Sequence, residues 1–269
     1  MEYLVAVDLE GIGGVVGSPN CTLTESFDYE LAKENAVLEI NMAVKALFDS
    51  GATKVSVWDN HGGGGNIDYS LVDSRADKIT VPKGDYRFDF ATSHNYVGVV
   101  YLGYHSREGT FSGVLAHTYN SKAVQYAKIN GVEVGELEVD SYIAATHGIA
   151  PILLASDKAC VEQFAKSSPE TVIVTTKYGK GRNSATLRPE EDVLSDIYAG
   201  IKEALTKKIP SLSIEAPVLL EVRYSRAERA EELYNAAKED AGIEWVKYGN
   251  DTHTVIYKVT KLNRMPHFI

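Results

Sequence analysis

The feature that most constrains this sequence is the repeated alternation between short apolar segments and longer segments with helical character. Apolar runs rich in β-branched and aromatic residues, typical of buried strands, occupy residues 3–9, 54–59, 97–103, 151–156, 171–176, 217–222 and 252–259. Helical periodicity or a helix-ending glycine marks residues 29–50, 135–148, 189–207 and 227–238. The alternation predicts an α/β protein with three layers and a mostly parallel central sheet. A second, smaller α/β portion is expected to follow this sheet in the chain.

Two further strands are expected in the middle of the chain. Residues 113–119 and 123–129 both have strand-like composition, and the second segment is followed directly by Asn130-Gly131. Because an Asn-Gly pair is typical of a tight hairpin turn, we expect the chain to reverse there before the helix at 135–148 begins.

Composition excludes several classes of protein. The net charge of −10 argues against a nucleic-acid partner, since such binding depends on Lys and Arg neutralising phosphates. The two cysteines, Cys21 and Cys160, are too far apart for a CxxC pair and indicate neither a disulfide framework nor a thiolate zinc site. The N-terminus lacks a basic region and a long apolar run, so we expect a soluble, cytoplasmic protein without a membrane partner.

Polar side chains follow three of the predicted strands. Asp8 and Glu10 come at the end of the first strand, His61 follows the second, and His105 follows the third. The carboxyl ends of strands in an open α/β sheet form ligand sites, so these side chains are candidates for one site. Each also has a structural interpretation: the acids as a solvated loop pair, and either histidine as a hydrogen-bonded structural residue.

Two further positions stay open from the residues themselves. Glu136 is a candidate fifth ligand, but Glu133 and Glu138 compete with it and the spacing selects none of them. His117, twelve residues after His105, fits a third ligand, a general base or a packed core histidine equally well.

Imidazole and carboxylate together are the ligand set that suits zinc, and a carboxylate can bridge two ions in a hydrolytic site.

Other motifs resemble parts of different active sites, but the motifs that must accompany them are absent from the sequence. The glycines at 61–65 resemble an oxyanion loop, yet the chain contains no G-x-S-x-G elbow, and no phosphate-binding G-x-x-x-x-G-K-[ST] occurs. The basic cluster KYGKGR at 177–182 is interpreted as a solvated loop that can meet a substrate carboxylate.

The ordered motifs AVDLEGIGG, VWDNH, YLGYH, GVLAH and VGELEVDSY resemble those of the D-aminopeptidase family of binuclear zinc peptidases, over roughly residues 3–155. The resemblance implies two zinc ions per chain. It implies that Asp8 bridges them, that Glu10 and His61 complete one site, and that His105 and Glu136 complete the other.

The same resemblance implies that His117 is catalytic without being a ligand. It also implies release of N-terminal residues, D-residues such as D-Ala included, from short peptide substrates, and assembly into a homo-oligomer, in characterised relatives a homodecamer. Since the motifs lie in the first part of the chain, we predict a metal-binding catalytic domain at 1–165 and a second α/β portion at 166–269 for scaffold and oligomerisation.

Two other functions use the same ligands. A two-metal amidase or phosphoesterase could use the same ligands, because the same two ions would serve an in-line displacement equally well. A non-catalytic metal-binding assembly protein would use the ions to rigidify the fold. The residues themselves do not separate these hypotheses from a peptidase.

Overall fold

The computed structural model describes residues 1–81 and 87–269. In chain order the strands are β1 (Glu2–Val7), β2 (Lys54–Asp59), β3 (Asp77–Ile79), β4 (Tyr96–Leu102), β5 (Val124–Ile129), β6 (Val132–Val134), β7 (Ala150–Asp157), β8 (Val172–Gly181), β9 (Ser184–Leu187), β10 (Val218–Tyr224), β11 (Ile243–Tyr248) and β12 (Thr254–Val259). The α-helices are α1 (Tyr29–Asp49), α2 (Glu136–Ala145), α3 (Lys158–Phe164), α4 (Glu190–Ala204) and α5 (Ala227–Lys238). Short 3-10 helices occupy Leu23–Glu25, Asp89–Ser93 and Leu262–Phe268.

The larger sheet has, within the described residues, the strand order β3-β2-β1-β4-β7-β8-β9. Its neighbouring strands are parallel except for the β8–β9 hairpin, which confirms the predicted mostly parallel sheet. Alternate residues of β1 face opposite layers, as the period of a strand requires. Val5 and Val7 pack in the core that includes Ile40 of α1, whereas Leu4 and Ala6 pack in the core formed with α2, α3 and the smaller sheet.

The smaller sheet is antiparallel, with the order β11-β12-β10-β5-β6 in the described part of the chain. It joins a hairpin from the middle of the chain to strands from its end. Both sheets therefore take strands from either side of residue 165, and the predicted division at that residue stays a prediction. None of the helices in the described segments is long and apolar enough to cross a membrane.

One predicted strand is wrong. Residues 113–119 form turns and bends, and the backbone at Leu115 and Tyr119 has φ of 52° and 55°. A left-handed backbone cannot continue a strand, so the apolar composition of this segment reflects burial of a loop. The hairpin at Asn130-Gly131 is confirmed, because β5 and β6 pair across it.

Two glycines allow the loops after β1 and β4 to touch. Gly11 N donates to Gly103 O at 2.6 Å. A Cβ at Gly103, whose φ is +72°, would lie 2.0 Å from the carbonyl oxygen of Asp8, and a Cβ at Gly11 would lie 2.2 Å from that of Tyr104. Any larger residue would separate the two loops, so these glycines bring Asp8 and its neighbours against the residue before His105.

Candidate metal centre

The site lies at the carboxyl ends of three adjacent parallel strands. β1 lies between β2 and β4, so Asp8 and Glu10, which follow β1, lie between His61, which follows β2, and His105, which follows β4. All four side chains line one cavity of about 390 Å³. The four residues are buried, with 2% to 9% of their surface exposed. The structure thus brings these four predicted residues together where open α/β sheets bind ligands.

Glu136 enters the same cavity from the start of α2. Its Oε1 accepts a hydrogen bond from Tyr119 N at 2.6 Å, which fixes the carboxylate toward His105. The two competing acids have other partners. Glu138 accepts from Gly135 N in a capping interaction, and Glu133 forms an ion pair with Arg107. Of these three acids Glu136 is the one that lines the cavity.

The polar atoms form two clusters that share one carboxylate. Asp8 Oδ1 lies 2.9 Å from His61 Nδ1, and Glu10 Oε2 lies 3.2 Å from the same nitrogen. Asp8 Oδ2 lies 3.6 Å from His105 Nε2, and Glu136 Oε1 lies 3.2 Å from that nitrogen. Each oxygen of Asp8 therefore faces a different histidine, and each histidine faces a second carboxylate.

His117 lies beside the second cluster. Its ring stacks on that of His105 with centroids 3.8 Å apart and an 11° angle between planes. Its Nδ1 lies 2.8 Å from Leu115 O, and since a carbonyl oxygen accepts, Nδ1 carries the proton and Nε2 has the lone pair. Nε2 lies 3.8 Å from Glu136 Oε1, at the edge of the cavity.

Burial and mutual charge shift the carboxylates strongly. Burial, with the adjacent charge of Glu10, raises the pKa of Asp8 to about 7. Burial opposes ionisation of Glu136, but the charge of His105 outweighs it and lowers the pKa of Glu136 to about 2. Burial likewise opposes ionisation of Glu10, and the charge of His61 keeps its pKa well below the usual value. The ionised carboxylates thus depend on positive charge held between them.

The histidines show the complementary shifts. Burial disfavours the charged form of His61, but Glu10 and Asp8 outweigh it and raise its pKa to about 12. The same balance, with Glu136 as the main partner, raises the pKa of His105 to about 10. Burial, with the neighbouring charge of His105, lowers the pKa of His117 to about 4, so this ring is neutral at pH 7.

The donor set fits divalent zinc. Among the described residues, two groups have ligand atoms that all lie within 4.8 Å of one another, namely Asp8, Glu10 and His105, and His105, His117 and Glu136. Zinc binds imidazole nitrogen and carboxylate oxygen at about 2.0–2.2 Å, so ligand atoms roughly 3–3.6 Å apart can share one ion. The protons on His61 and His105 supply the positive charge that compensates the neighbouring carboxylates, and bound metal ions would supply it instead.

A buried network behind the ligands was not found in the sequence. Asp140 of α2 accepts hydrogen bonds from Asn60 Nδ2 at 2.9 Å and Tyr104 OH at 2.7 Å, and binds Arg87 through two bonds of 2.6 Å. Asn60 precedes His61 and Tyr104 precedes His105, so one carboxylate ties the two strand ends that carry the cavity histidines to the helix that begins at Glu136. One sequence feature could have indicated this network: Asp140 comes four residues after Glu136, which places the two side chains on the same side of a helix.

Comparison with known proteins shows the family to which the chain belongs. A family model described as D-aminopeptidase, of peptidase family M55, matches residues 1–261. The chain belongs to this family. The resemblance noted in the sequence is therefore confirmed, and the family match extends well beyond the motifs that first indicated it.

One curated protein and one solved structure are also similar to this chain. A D-aminopeptidase of Bacillus subtilis (strain 168) is 27% identical over 186 residues, which cover 68% of this chain and 66% of that protein. The zinc-dependent D-aminopeptidase DppA from Bacillus subtilis, described as a self-compartmentalizing protease, has a solved structure that is 22% identical. It matches with a TM-score of 0.86 over 100% of this chain and 95% of that one, which confirms the predicted fold class.

We predict that zinc binding releases protons. The pKa values of His61 and His105, about 12 and about 10, lie above neutral pH, so both rings are protonated in the metal-free protein and must lose a proton to become ligands. Roughly two protons from the histidines, and about half a proton from Asp8 at pH 7, should leave per chain loaded with two ions, and zinc affinity should rise from pH 6 to pH 9. Calorimetry in buffers of different ionisation enthalpy measures both quantities.

The His253→Gln variant is the matched control for this experiment, since His253 lies in the turn just before β12, outside the cavity. It should release the same number of protons as the unsubstituted chain. Zinc binding without proton release, or with an affinity that falls as pH rises, would contradict the assignment of the two histidines.

Proposed function

We propose that this chain is a zinc-dependent aminopeptidase that hydrolyses N-terminal residues, including D-residues such as D-Ala, from short peptides. One observation carries the proposal: the two oxygens of Asp8 face two different histidines, and each histidine has a second carboxylate beside it. One shared and two separate carboxylates are suited to hold two ions about 3.5–4 Å apart, as in two-metal hydrolytic sites. Membership of the D-aminopeptidase family supports the choice of a peptide bond as substrate.

The ligand roles follow from the same distances. We assign Asp8 as the bridging ligand, Glu10 and His61 to one zinc ion, and His105 and Glu136 to the other. When bound, the two ions would polarise the scissile carbonyl and make a water molecule acidic enough to attack near neutral pH. The buried Asp140 network keeps the strand ends at a fixed separation, so the ligands are held in place before substrate enters.

His117 is suited to moving the proton. Its Nδ1–H is held by Leu115 O, which leaves the Nε2 lone pair directed to the cavity, and the ring is neutral at pH 7. It can accept a proton from the attacking water and deliver it to the departing amine. Stacking on His105 fixes the plane of the ring and therefore the direction of that transfer.

The direct test is a panel of D- and L-aminoacyl dipeptides, incubated with the zinc-loaded protein and with the chelator-treated protein. We expect cleavage of D-Ala substrates, loss of cleavage after chelation and recovery on adding zinc. Inactivity on every D- and L-substrate would refute the proposal. Turnover of a phosphate ester without peptide cleavage would favour the two-metal phosphoesterase, and bound zinc without any hydrolysis would favour the non-catalytic protein.

We expect His117→Ala to lower kcat by roughly 10²–10⁴-fold, the usual contribution of a positioned acid or base. The variant should keep its zinc and a near-normal melting temperature, because no metal needs His117 to complete its ligands. Metal analysis and calorimetry accompany the kinetics. His147→Ala, outside the cavity, is the control and should keep full activity. Parallel loss of zinc and activity in His117→Ala would instead identify a ligand.

We also propose that the chain works as a homo-oligomer, with a homodecamer as the expected size. The related structure is described as a self-compartmentalizing protease. This chain has large apolar side chains at its surface, with Phe111 92% exposed, Phe27 78% exposed and Leu71 60% exposed. Phenylalanine is enriched in subunit interfaces relative to the rest of the protein surface. Light scattering should give a mass several times that of one 29.4 kDa chain, and a monomer at working concentration would contradict this proposal.

A further inference from the structure

The loop that carries Glu10 has no regular secondary structure of its own. It begins after β1 and runs through turns at residues 9–14 before the chain reaches α1. Glu10 and Ile12 are buried, with 3% and 0% of their surface exposed. Buried backbone carbonyls need hydrogen-bond partners, and outside a helix or sheet these partners must come from elsewhere in the molecule. The partners of this loop are therefore decisive for where Glu10 lies.

Three successive carbonyls of the loop are held by two consecutive residues of β8. Lys177 Nζ donates to Glu10 O and to Ile12 O, both at 2.6 Å. Between them, Thr176 Oγ1 donates to Gly11 O, also at 2.6 Å. The ammonium group thus spans the turn, and the hydroxyl fills the position between its two acceptors.

The far end of the loop is held from α1. Asn35 Nδ2 donates to Gly13 O at 2.8 Å, and Gly13 N donates to Glu39 Oε1 at 2.8 Å. Neither contact involves Glu10 or Ile12. The carbonyls next to Glu10 are therefore fixed by Thr176 and Lys177, alongside the bond from Gly11 N to Gly103 O, and the helix fixes the part of the loop that leads away from the site.

Lys177 was interpreted from the sequence as part of a solvated basic loop, and this was wrong. β8 continues through the cluster to Gly181, and the side chain of Lys177 is fully buried. A buried ammonium group is costly unless charge and hydrogen bonds compensate it. The carboxylates of Asp157 and Glu39 act on it electrostatically from within the same buried region. Lys180, three residues along the strand, is exposed.

We propose that Thr176 and Lys177 are positioning residues that fix Glu10 for metal binding. The inference rests on the proposed function, since it takes Glu10 to be a ligand. The side chain of Glu10 follows its backbone, and the lysine holds the carbonyl of Glu10 itself. Groups that orient a ligand usually change metal affinity 10–100-fold when they are removed.

The effect should fall on one metal more than on the other. Asp8 is held separately, because Asp8 N donates to Leu102 O at 2.8 Å and its backbone continues β1. His105 and Glu136 come from other elements, the end of β4 and the start of α2. Loosening the loop therefore moves Glu10 away from His61 while the cluster of Asp8, His105 and Glu136 keeps its geometry.

The experiment is a zinc titration against a chromophoric chelator, with the melting temperature recorded for each variant. Lys177→Met removes both donated hydrogen bonds at nearly constant length. We expect one of the two zinc ions to bind about 10–100-fold more weakly and the other to stay close to the unsubstituted affinity. Lys180→Met is the matched control from the same strand and should bind both ions normally.

Thr176→Val provides a second, nearly isosteric variant in case Lys177→Met does not fold. It removes only the hydrogen bond to Gly11 O, and we expect a weaker but equally selective loss, roughly 3–10-fold, since one bond of three is removed. Co²⁺ in place of zinc gives a spectroscopic signature for each site, so the weakened ion can be followed separately from the retained one.

Double variants identify which ion is affected. In the His61→Ala background, where the Glu10 site is already weakened, Lys177→Met should add little to the loss. In the Glu136→Gln background it should weaken the remaining, Glu10-bound ion by the full amount, about 10–100-fold. If Lys177→Met does not fold, Thr176→Val replaces it in both backgrounds.

The outcomes separate this inference from the proposed function. Unchanged affinity for both ions in a folded Lys177→Met or Thr176→Val variant would overturn the positioning role, as would an equal fall at both sites. Absence of zinc binding by the unsubstituted chain would overturn the proposed function first, and this inference with it. A selective loss at the Glu10 site supports both.

Discussion

Three carboxylates that line one cavity set the central physical constraint on this structure. Asp8 and Glu10 are buried and Glu136 is largely shielded from solvent, so the three can be ionised together only if positive charge lies between them. His61 and His105 supply that charge as protons in the metal-free protein, and divalent ions are suited to replace it. The geometry around the cavity is arranged to hold these groups close despite their repulsion.

The sheet provides the first part of that arrangement and the loops provide the second. Parallel neighbours place the ends of β2, β1 and β4 along one edge. The contact between Gly11 and Gly103 draws two of the following loops together, and Asp140 joins the remaining strand end to α2. Each device is a backbone or buried polar contact. Such contacts keep their geometry better than exposed ion pairs, because solvent and side-chain motion do not compete with them.

Much of this was predictable from local sequence. Apolar runs ending in acids or histidines located β1, β2 and β4 and the cavity-lining residues after them, because strand periodicity and strand ends are local properties. Local sequence did not predict that Glu136, rather than Glu133 or Glu138, lines the cavity. That placement depends on the hydrogen bond from Tyr119 N to Glu136 and on the capping role of Glu138. The motif residues were therefore sufficient to predict which side chains lie at the edge of the sheet. They were not sufficient to predict which acid near the start of α2 lines the cavity.

The errors have the same origin. The segment at 113–119 has strand composition, but its left-handed residues are imposed by contacts with distant parts of the chain, such as the bond from Leu115 N to Arg182 O. In the sequence Lys177 resembles a solvated lysine, but in the fold the loop after β1 accepts its hydrogen bonds through Glu10 O and Ile12 O. Both features depend on partners far away in sequence, which periodicity and composition do not register.

The pairing of β5 with β10 imposes an order on biosynthesis. Every strand of the larger sheet has been translated once Leu187 has left the ribosome, whereas Ile129 of β5 must wait for Leu220 of β10. The β5–β6 hairpin leads directly into Glu136, so the last carboxylate of the cavity is anchored by strands that are made at the end of translation. A nascent chain therefore has the two acids and two histidines that follow β1, β2 and β4 at the ends of strands that are already complete, while Glu136 still waits for the strands that anchor it.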